Sequence, residues 1–362
     1  MKKHITVSLA SLICMGAFNV AAETAIDSQD LNTHSQGLKT QASSSIQNSM
    51  PEQSPEQQLA YQAQDMRETV SVRADALRQL ARYPNQSSLV AVARGLKDPS
   101  EEIRESAVIG AEPYQFANRW RMVSPLLEDS TKHVRITATT SLIRDYGNMT
   151  VEQKQAIETP VEELIAYLKT KSDSATSLLL ADVYRWHKEW DKAETLYLSL
   201  LNPKAKTDDS SNLNDPQIWL SYADNFRAQE LDEQALKVLD NALTLFADNA
   251  ALYYSKSLTL VRLEDKKQAA DAIQMAAELE PKNSYFWYLN GVLQEAFDID
   301  KSTQSFEQAY LISGAPEQLY AVCDIYTRYN HPKTDECLAE LEKVAPPFVI
   351  QQLKELKPQA QS

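Results

Sequence analysis

A step of about 34 residues governs the C-terminal half of this chain. It separates Ala235 from Ala269, and Ala242 from Ala276. Around these alanines the same order of large and small residues recurs. Trp219, Ala223 and Phe226 precede Ala235, Leu239 and Ala242; Tyr253, Ser257 and Leu260 precede Ala269, Ile273, Ala276 and Pro281. A period of this length is one helix–turn–helix unit, too small to bury its apolar face alone, so successive units must stack. Small residues on facing sides of two helices let the backbones approach, while Trp219, Phe226 and Leu239 fill the space between neighbouring pairs. Glycine, at 7 of 362 residues, lies far below the usual ~7%, which argues against a turn-rich β fold and against glycine-rich phosphate loops. The expectation is an all-α chain built as an α-solenoid.

The order and period resemble the tetratricopeptide (TPR) family, and the two central copies carry the resemblance most specifically. A degenerate copy precedes them, with Leu180, Ala181 and Tyr184, then Ala193, Tyr197 and Leu200. The step from Ala193 to Ala235 is longer than the period, so extra residues form a polar connector over 203–215. A fourth copy holds Trp287, Gly291 and Leu293, then Ser302, Phe306 and Ala309. The fifth holds Leu319, Val322, Cys323 and Tyr326, then Cys337, Leu341 and Val344. Pro346 and Pro347 stop it, and 348–356 reads as a short closing helix within the tail 348–362. The array thus occupies 174–347.

A second period, slightly shorter, runs through 57–149. Arg73, Arg104 and Arg135 are evenly spaced, and Ala76, Ala107 and Ala138 keep the same step. Leu96 before Asp98 and Leu127 before Asp129 keep it too, each ahead of Ile103-Arg104 or Val134-Arg135. This pattern resembles the HEAT family. The Asp is expected to cap the following helix through the free N–H groups of its first turn. The resemblance implies that each Arg ladders with the Asp of an adjacent unit, a structural pairing before it is a ligand site. The unit around Arg73 lacks the Asp turn, which suits a terminal cap. Between the two repeat regions, 150–173 reads as a junction helix or helix pair broken near Pro160.

The segment 1–22 reads as a secretory signal: Lys2 and Lys3, a mostly apolar run, and Val20-Ala21-Ala22 ahead of Glu23. The run is too short to span a bilayer. The residues before Cys14 do not match a lipidation site, so plain cleavage near Ala22 and a periplasmic or secreted location follow. The stretch 23–56, rich in Ser, Gln, Thr and Asn, reads as a disordered tether. Loss of Lys2 and Lys3 takes the net charge from −14 to −16. So acidic a chain is poorly suited to nucleic acid or anionic membranes.

No catalytic constellation stands out. His4, His34, His133, His187 and His331 are scattered, without a metal-ligand spacing such as His-Glu-x-x-His, and no nucleophile elbow or phosphate loop occurs. No enzyme activity, cofactor or metal is therefore expected. The order of HEAT-like units, connector and TPR-like units also resembles the C-terminal half of some secreted multihaem cytochromes. The Cys-x-x-Cys-His sites of those proteins are missing here, so redox activity does not carry over.

The TPR resemblance implies that the first helix of each pair lines a concave face. Its inward candidates are Asp182, Arg185 and Trp186; Leu220, Asp224 and Arg227; Tyr254, Leu258 and Arg262; Tyr285, Tyr288 and Val292; and Tyr320, Asp324 and Arg328. Aromatic and Arg side chains interleaved in this way suit an extended peptide, and packing of the tyrosines between repeats is the alternative. Arrays that grip a C-terminal carboxylate use Lys and Asn, where this chain has Asp182, Asp224, Leu258, Val292 and Asp324, so that mode is disfavoured. A periplasmic protein-binding scaffold is the leading expectation. An accessory factor for a multihaem c-type cytochrome and a hydrolase of envelope polymers are the alternatives.

After signal cleavage only Cys323 and Cys337 remain, in a compartment that favours disulfides. They fill the two facing small-residue slots of the fifth copy, so a disulfide stapling the last pair is expected, against two buried free thiols.

Overall fold

The computed structural model describes residues 54–202 and 215–356, which contain eighteen α-helices, two short 3-10 turns and no strand. The expected signal peptide, nearly all of the expected tether, the connector 203–214 and residues 357–362 lie outside the described residues.

Seven helices precede the TPR-like pairs: α1 (Pro55–Gln64), α2 (Val70–Leu80), α3 (Gln86–Gly95), α4 (Glu101–Gly110), α5 (Phe116–Val123), α6 (Lys132–Ile143) and α7 (Val151–Leu168). The last two residues of the expected tether, Pro55 and Glu56, lie in α1, which Pro55 opens. A first helical position suits proline, whose missing N–H would be unsatisfied there anyway.

Helices α2, α4, α6 and α7 pack in a row, and the periodic arginines link them. Arg73 Nη2 donates to Asp98 over 2.6 Å. Arg104 donates through Nε and Nη2 to both oxygens of Asp129, at 2.7 and 2.9 Å. Arg135 makes the same fork to Glu163 on α7, at 2.8 and 2.6 Å. Glu163 thus takes the Asp role where the period ends. The aspartates do not cap the helices as expected. Asp98 and Asp129 accept from the N–H of Ser100 and Thr131, at 2.9 and 2.8 Å, and these are the residues before α4 and α6. Each Asp stands two positions too early to reach the first turn, so it closes the preceding turn instead.

The expected break at Pro160 does not occur either, and α7 runs through it. Ile157, Val161, Leu164 and Leu168 form one buried stripe that keeps phase across the proline. Packing of that stripe on both sides offsets the lost hydrogen bond, a defect of about 3 kcal/mol in an unsupported helix.

The remaining chain forms five antiparallel pairs: α8 (Ser174–Trp186) with α9 (Trp190–Leu201), α10 (Pro216–Arg227) with α11 (Asp232–Leu245), α12 (Ala250–Arg262) with α13 (Lys266–Leu279), α14 (Ser284–Gln294) with α15 (Ile299–Ser313), and α16 (Pro316–Arg328) with α17 (Thr334–Leu341). Asp173, Asp215, Asn249 and Asn283 cap the first helices of pairs one to four. In pairs one, two, three and five the turn between helices passes through a left-handed residue: Lys188, Glu230, Glu264 or Asn330. None of these is glycine, the residue that adopts this conformation most cheaply. The N–H of the next residue returns to the helix end, as from Leu231 to the Phe226 carbonyl at 3.0 Å.

The small slots do face one another. Ala223 and Ala235 are both fully buried, Ser257 Oγ donates to the Ala269 carbonyl at 2.8 Å, and Ser302 Oγ donates to the Gly291 carbonyl at 2.7 Å. In the fifth pair the slots hold the disulfide Cys323–Cys337, with a Cα–Cα distance of 5.4 Å. The alternative of two free thiols is thereby set aside. The closing helix α18 (Pro347–Lys354) packs against α16 and buries Ile350 and Leu353.

Candidate binding face

First helices of the first three pairs touch directly, α8 with α10 and α10 with α12. The residues expected to face inward fall into three stretches of different chemistry along the first helices.

Over the first two pairs the charges are paired among themselves. Asp182 accepts from Arg185 Nη2 at 3.0 Å and from the Tyr197 hydroxyl at 2.7 Å. Arg185 also donates through Nε to the Tyr197 oxygen, and its other amino group lies 4.0 Å from Asp224. Asp224 in turn pairs with Arg227. Trp186 is half-buried, with the guanidinium groups of Arg144 and Arg185 5.4 and 5.5 Å from its ring. Leu220 packs on the core.

Four tyrosines follow on α12, α14 and α16. The Tyr254 ring meets Tyr285 edge-on at 6.2 Å and lies 5.3 Å from Phe286. Tyr288 stacks at a tilt on Phe306, 5.7 Å away, within electrostatic reach of Tyr285, Tyr320 and Asp324. Tyr320 is 39% exposed. Burial raises the phenol pKa of Tyr254, Tyr288 and Tyr320 above the ordinary tyrosine value, and the Tyr254 hydroxyl is also hydrogen-bonded to Tyr285. Leu258 and Val292 lie half-buried on the same helices. Tyr254, Tyr285 and Tyr288 each give part of their surface to packing between repeats and leave part uncovered.

At the far end Arg328 donates to Asp324 and to Glu295, and the Tyr329 hydroxyl also donates to Glu295, at 3.2 Å. Arg262 departs from the row. Its Nε donates to Asp232 over 2.6 Å, which draws it sideways to the start of α11.

Reading the repeats alone misses Glu295 and Tyr197. Glu295 follows Tyr288 and Val292 at helical spacing, so the signal was present in the register. Tyr197 fills the large-residue slot of the first pair's second helix, which the repeat pattern marks for packing; the pattern does not show that its hydroxyl reaches Asp182 and Arg185. His187 is also less isolated than its sequence context implies: Nδ1 lies 3.0 Å from Glu189 and Nε2 lies 3.1 Å from Glu158. Among the described residues no group of three His, Cys, Asp or Glu side chains is placed to hold a metal ion.

No family model matches the chain, and no curated protein matches it. Solved structures do. The crystal structure of MamA is 18% identical and covers 49% of this chain and 95% of its own, with a TM-score of 0.37. YrrB, described as a TPR protein with an unusual peptide-binding site, is 18% identical over 54% of this chain and 98% of its own, with a TM-score of 0.40. BtubC from P. vanneervenii is 15% identical over 65% and 96%, with a TM-score of 0.38. Likenesses this distant transfer no ligand and no role to this chain.

Proposed function

We propose that the chain is a periplasmic TPR-type scaffold that holds an extended segment of another envelope protein across its first helices, with the HEAT-like units 57–149 extending the surface. One observation carries this reading: Tyr254, Tyr285, Tyr288 and Tyr320 line three successive first helices, half-buried or exposed, between stretches of self-paired charge. Rigid rings gain contact area at small entropic cost, which makes such a patch an anchor for a peptide. The disulfide suits an oxidising compartment, and no described helix is long and apolar enough to cross a membrane.

Pull-down from envelope extract tests it, with the mature protein and a variant carrying Tyr254→Ala and Tyr288→Ala as baits. A partner retained by the first and lost by the second is expected. Equal recovery on both baits would remove the tyrosine face from the reading.

A further inference from the structure

We propose that His187 is a proton-operated pin at the joint between the arginine-linked row and the TPR-like pairs, closed while its ring carries both protons and released when one leaves. The inference goes beyond the peptide-binding reading and does not depend on it.

His187 directly follows α8, and its backbone N–H closes that helix on the Val183 carbonyl at 2.9 Å. Helix α8 packs on α6 and α7, so the two repeat regions meet here. The ring reaches across that joint. Its Nε2 lies 3.1 Å from Glu158 on α7, and its Nδ1 lies 3.0 Å from Glu189 in the turn to α9. The histidine side chain is 13% exposed, which leaves water little access to either nitrogen.

A neutral imidazole carries one N–H and has a lone pair on its other nitrogen. With carboxylate oxygens at hydrogen-bond distance from both nitrogens, the neutral ring satisfies one and sets its lone pair against the other. The imidazolium donates to both. The contacts are complete only in the protonated form. His133 and His331 meet tyrosine rings instead, those of Tyr167 and Tyr326.

Other charged groups surround the pin. Glu162 and Lys169 of α7, Tyr184 of α8 and Lys192 of α9 line the same cleft as His187, and Lys192 is held by Glu189. Tyr146, in the short turn after α6, meets the histidine ring edge-on at 4.9 Å, with Lys154 5.2 Å from the tyrosine ring. Burial and the charge of Glu158 raise the Tyr146 phenol pKa, so it stays neutral while histidine exchanges its proton, between about pH 5 and 8. Of the two carboxylates, Glu158 is the easier to lose, because Glu189 is two residues from His187 and has Lys192 as a second partner. Its release leaves cation–ring contacts across the joint, Lys169 with Tyr184 at 5.8 Å and Arg144 with Trp186 at 5.4 Å. These constrain direction less than a hydrogen bond does. The joint is therefore tight on the acid side and loose on the basic side. Proton uptake sets whether the row and the helix pairs present one continuous surface or two.

Distances between spin labels test this on the mature protein, with labels on Glu102→Cys of α4 and Lys237→Cys of α11, both exposed. Otherwise unsubstituted protein is expected to give a narrow distribution at about pH 5.5 and a broader, shifted one at about pH 8.5, either side of the histidine range. His187→Gln does not titrate and should give the same distribution at both. Glu158→Gln separates a pin from mere packing: its amide N–H can donate to the bare Nε2 of a neutral ring, so the distribution should stay narrow at the higher pH. His133→Gln is the control and should keep the full response. Identical distributions at the two pH values in the otherwise unsubstituted protein would overturn the proposal. So would a response that survives His187→Gln, or one that Glu158→Gln leaves unchanged.

Discussion

Gly291→Ala separates two physical effects of opposite sign. Gly291 lies inside α14, where alanine is intrinsically favoured over glycine by about 1 kcal/mol. Propensity alone therefore makes the substitution stabilising. Packing reverses it. A Cβ built at Gly291 falls 2.7 Å from two carbons of the Phe306 ring and 2.9 Å from a third. Carbon atoms settle at about 3.5–4.0 Å, so α14 and α15 must separate, or the ring retreat, by about 1 Å. The ring is 5% exposed and backed by Tyr288, and it has little room to move. Overpacking of this kind costs about 1–3 kcal/mol, and separation also stretches the Ser302 bond to the Gly291 carbonyl. The net expectation is a loss of about 1–2 kcal/mol, seen as a fall of a few degrees in thermal unfolding followed by far-UV circular dichroism. Gly147→Ala is the control, since a Cβ there meets nothing within 4 Å. Phe306→Leu added to Gly291→Ala should recover part of the loss, giving a coupling between the two sites. A Gly291→Ala protein that melts at or above wild type would refute the close-approach argument.

The side chains of Arg73 and Asp98 are 8% and 9% exposed, so Arg73→Ala should lower the urea unfolding free energy by about 3–5 kcal/mol, against at most ~0.5 kcal/mol for the exposed Lys267–Asp271 pair. The Asp129 pKa is lowered by its bond from Arg104; its contribution is full above the unfolded value of about 3.9 and is lost as pH falls through the folded value, so melting temperature against pH should fall less steeply in acid for Asp129→Asn than for wild type. Replacing Cys323 and Cys337 together by Ser should cost about 2–4 kcal/mol, and hydrogen exchange should then show α16 to α18 opening before the other pairs. Glu264→Gly relieves a left-handed residue at φ 60° and should raise stability by about 1 kcal/mol in the same urea assay.

The helix pairs were legible because the repeat period fixes which small residues face each other, and Cys323 with Cys337 followed from the same slots. The arginine ladder was legible for the same reason. The course of α7 was not: proline is read locally as a break, while the stripe Ile157, Val161, Leu164 and Leu168 acts through tertiary packing. Arg262 shows the limit on the binding face. Its register matches the row, but a flexible side chain goes to the nearest good partner, here Asp232 at the dipole-positive start of α11. Periodicity gives the direction of a Cβ and not the end point of a long side chain.

The two halves share one device for joining units that otherwise meet only their neighbours. In the first, Arg73, Arg104 and Arg135 reach forward to carboxylates of the next unit; in the second, Arg262 and Arg328 reach back one pair, to Asp232 and Glu295. Each link spans a single step. A segment laid across Tyr254, Tyr288 and Tyr320 would touch three pairs at once and couple them beyond nearest neighbours. Anything that binds the folded array and not its opened form stabilises it by mass action, so occupancy of the tyrosine row would hold pairs three to five together as a unit. The aromatic patch therefore lies where a ligand can order the end of the solenoid, with the disulfide already fixing its last pair.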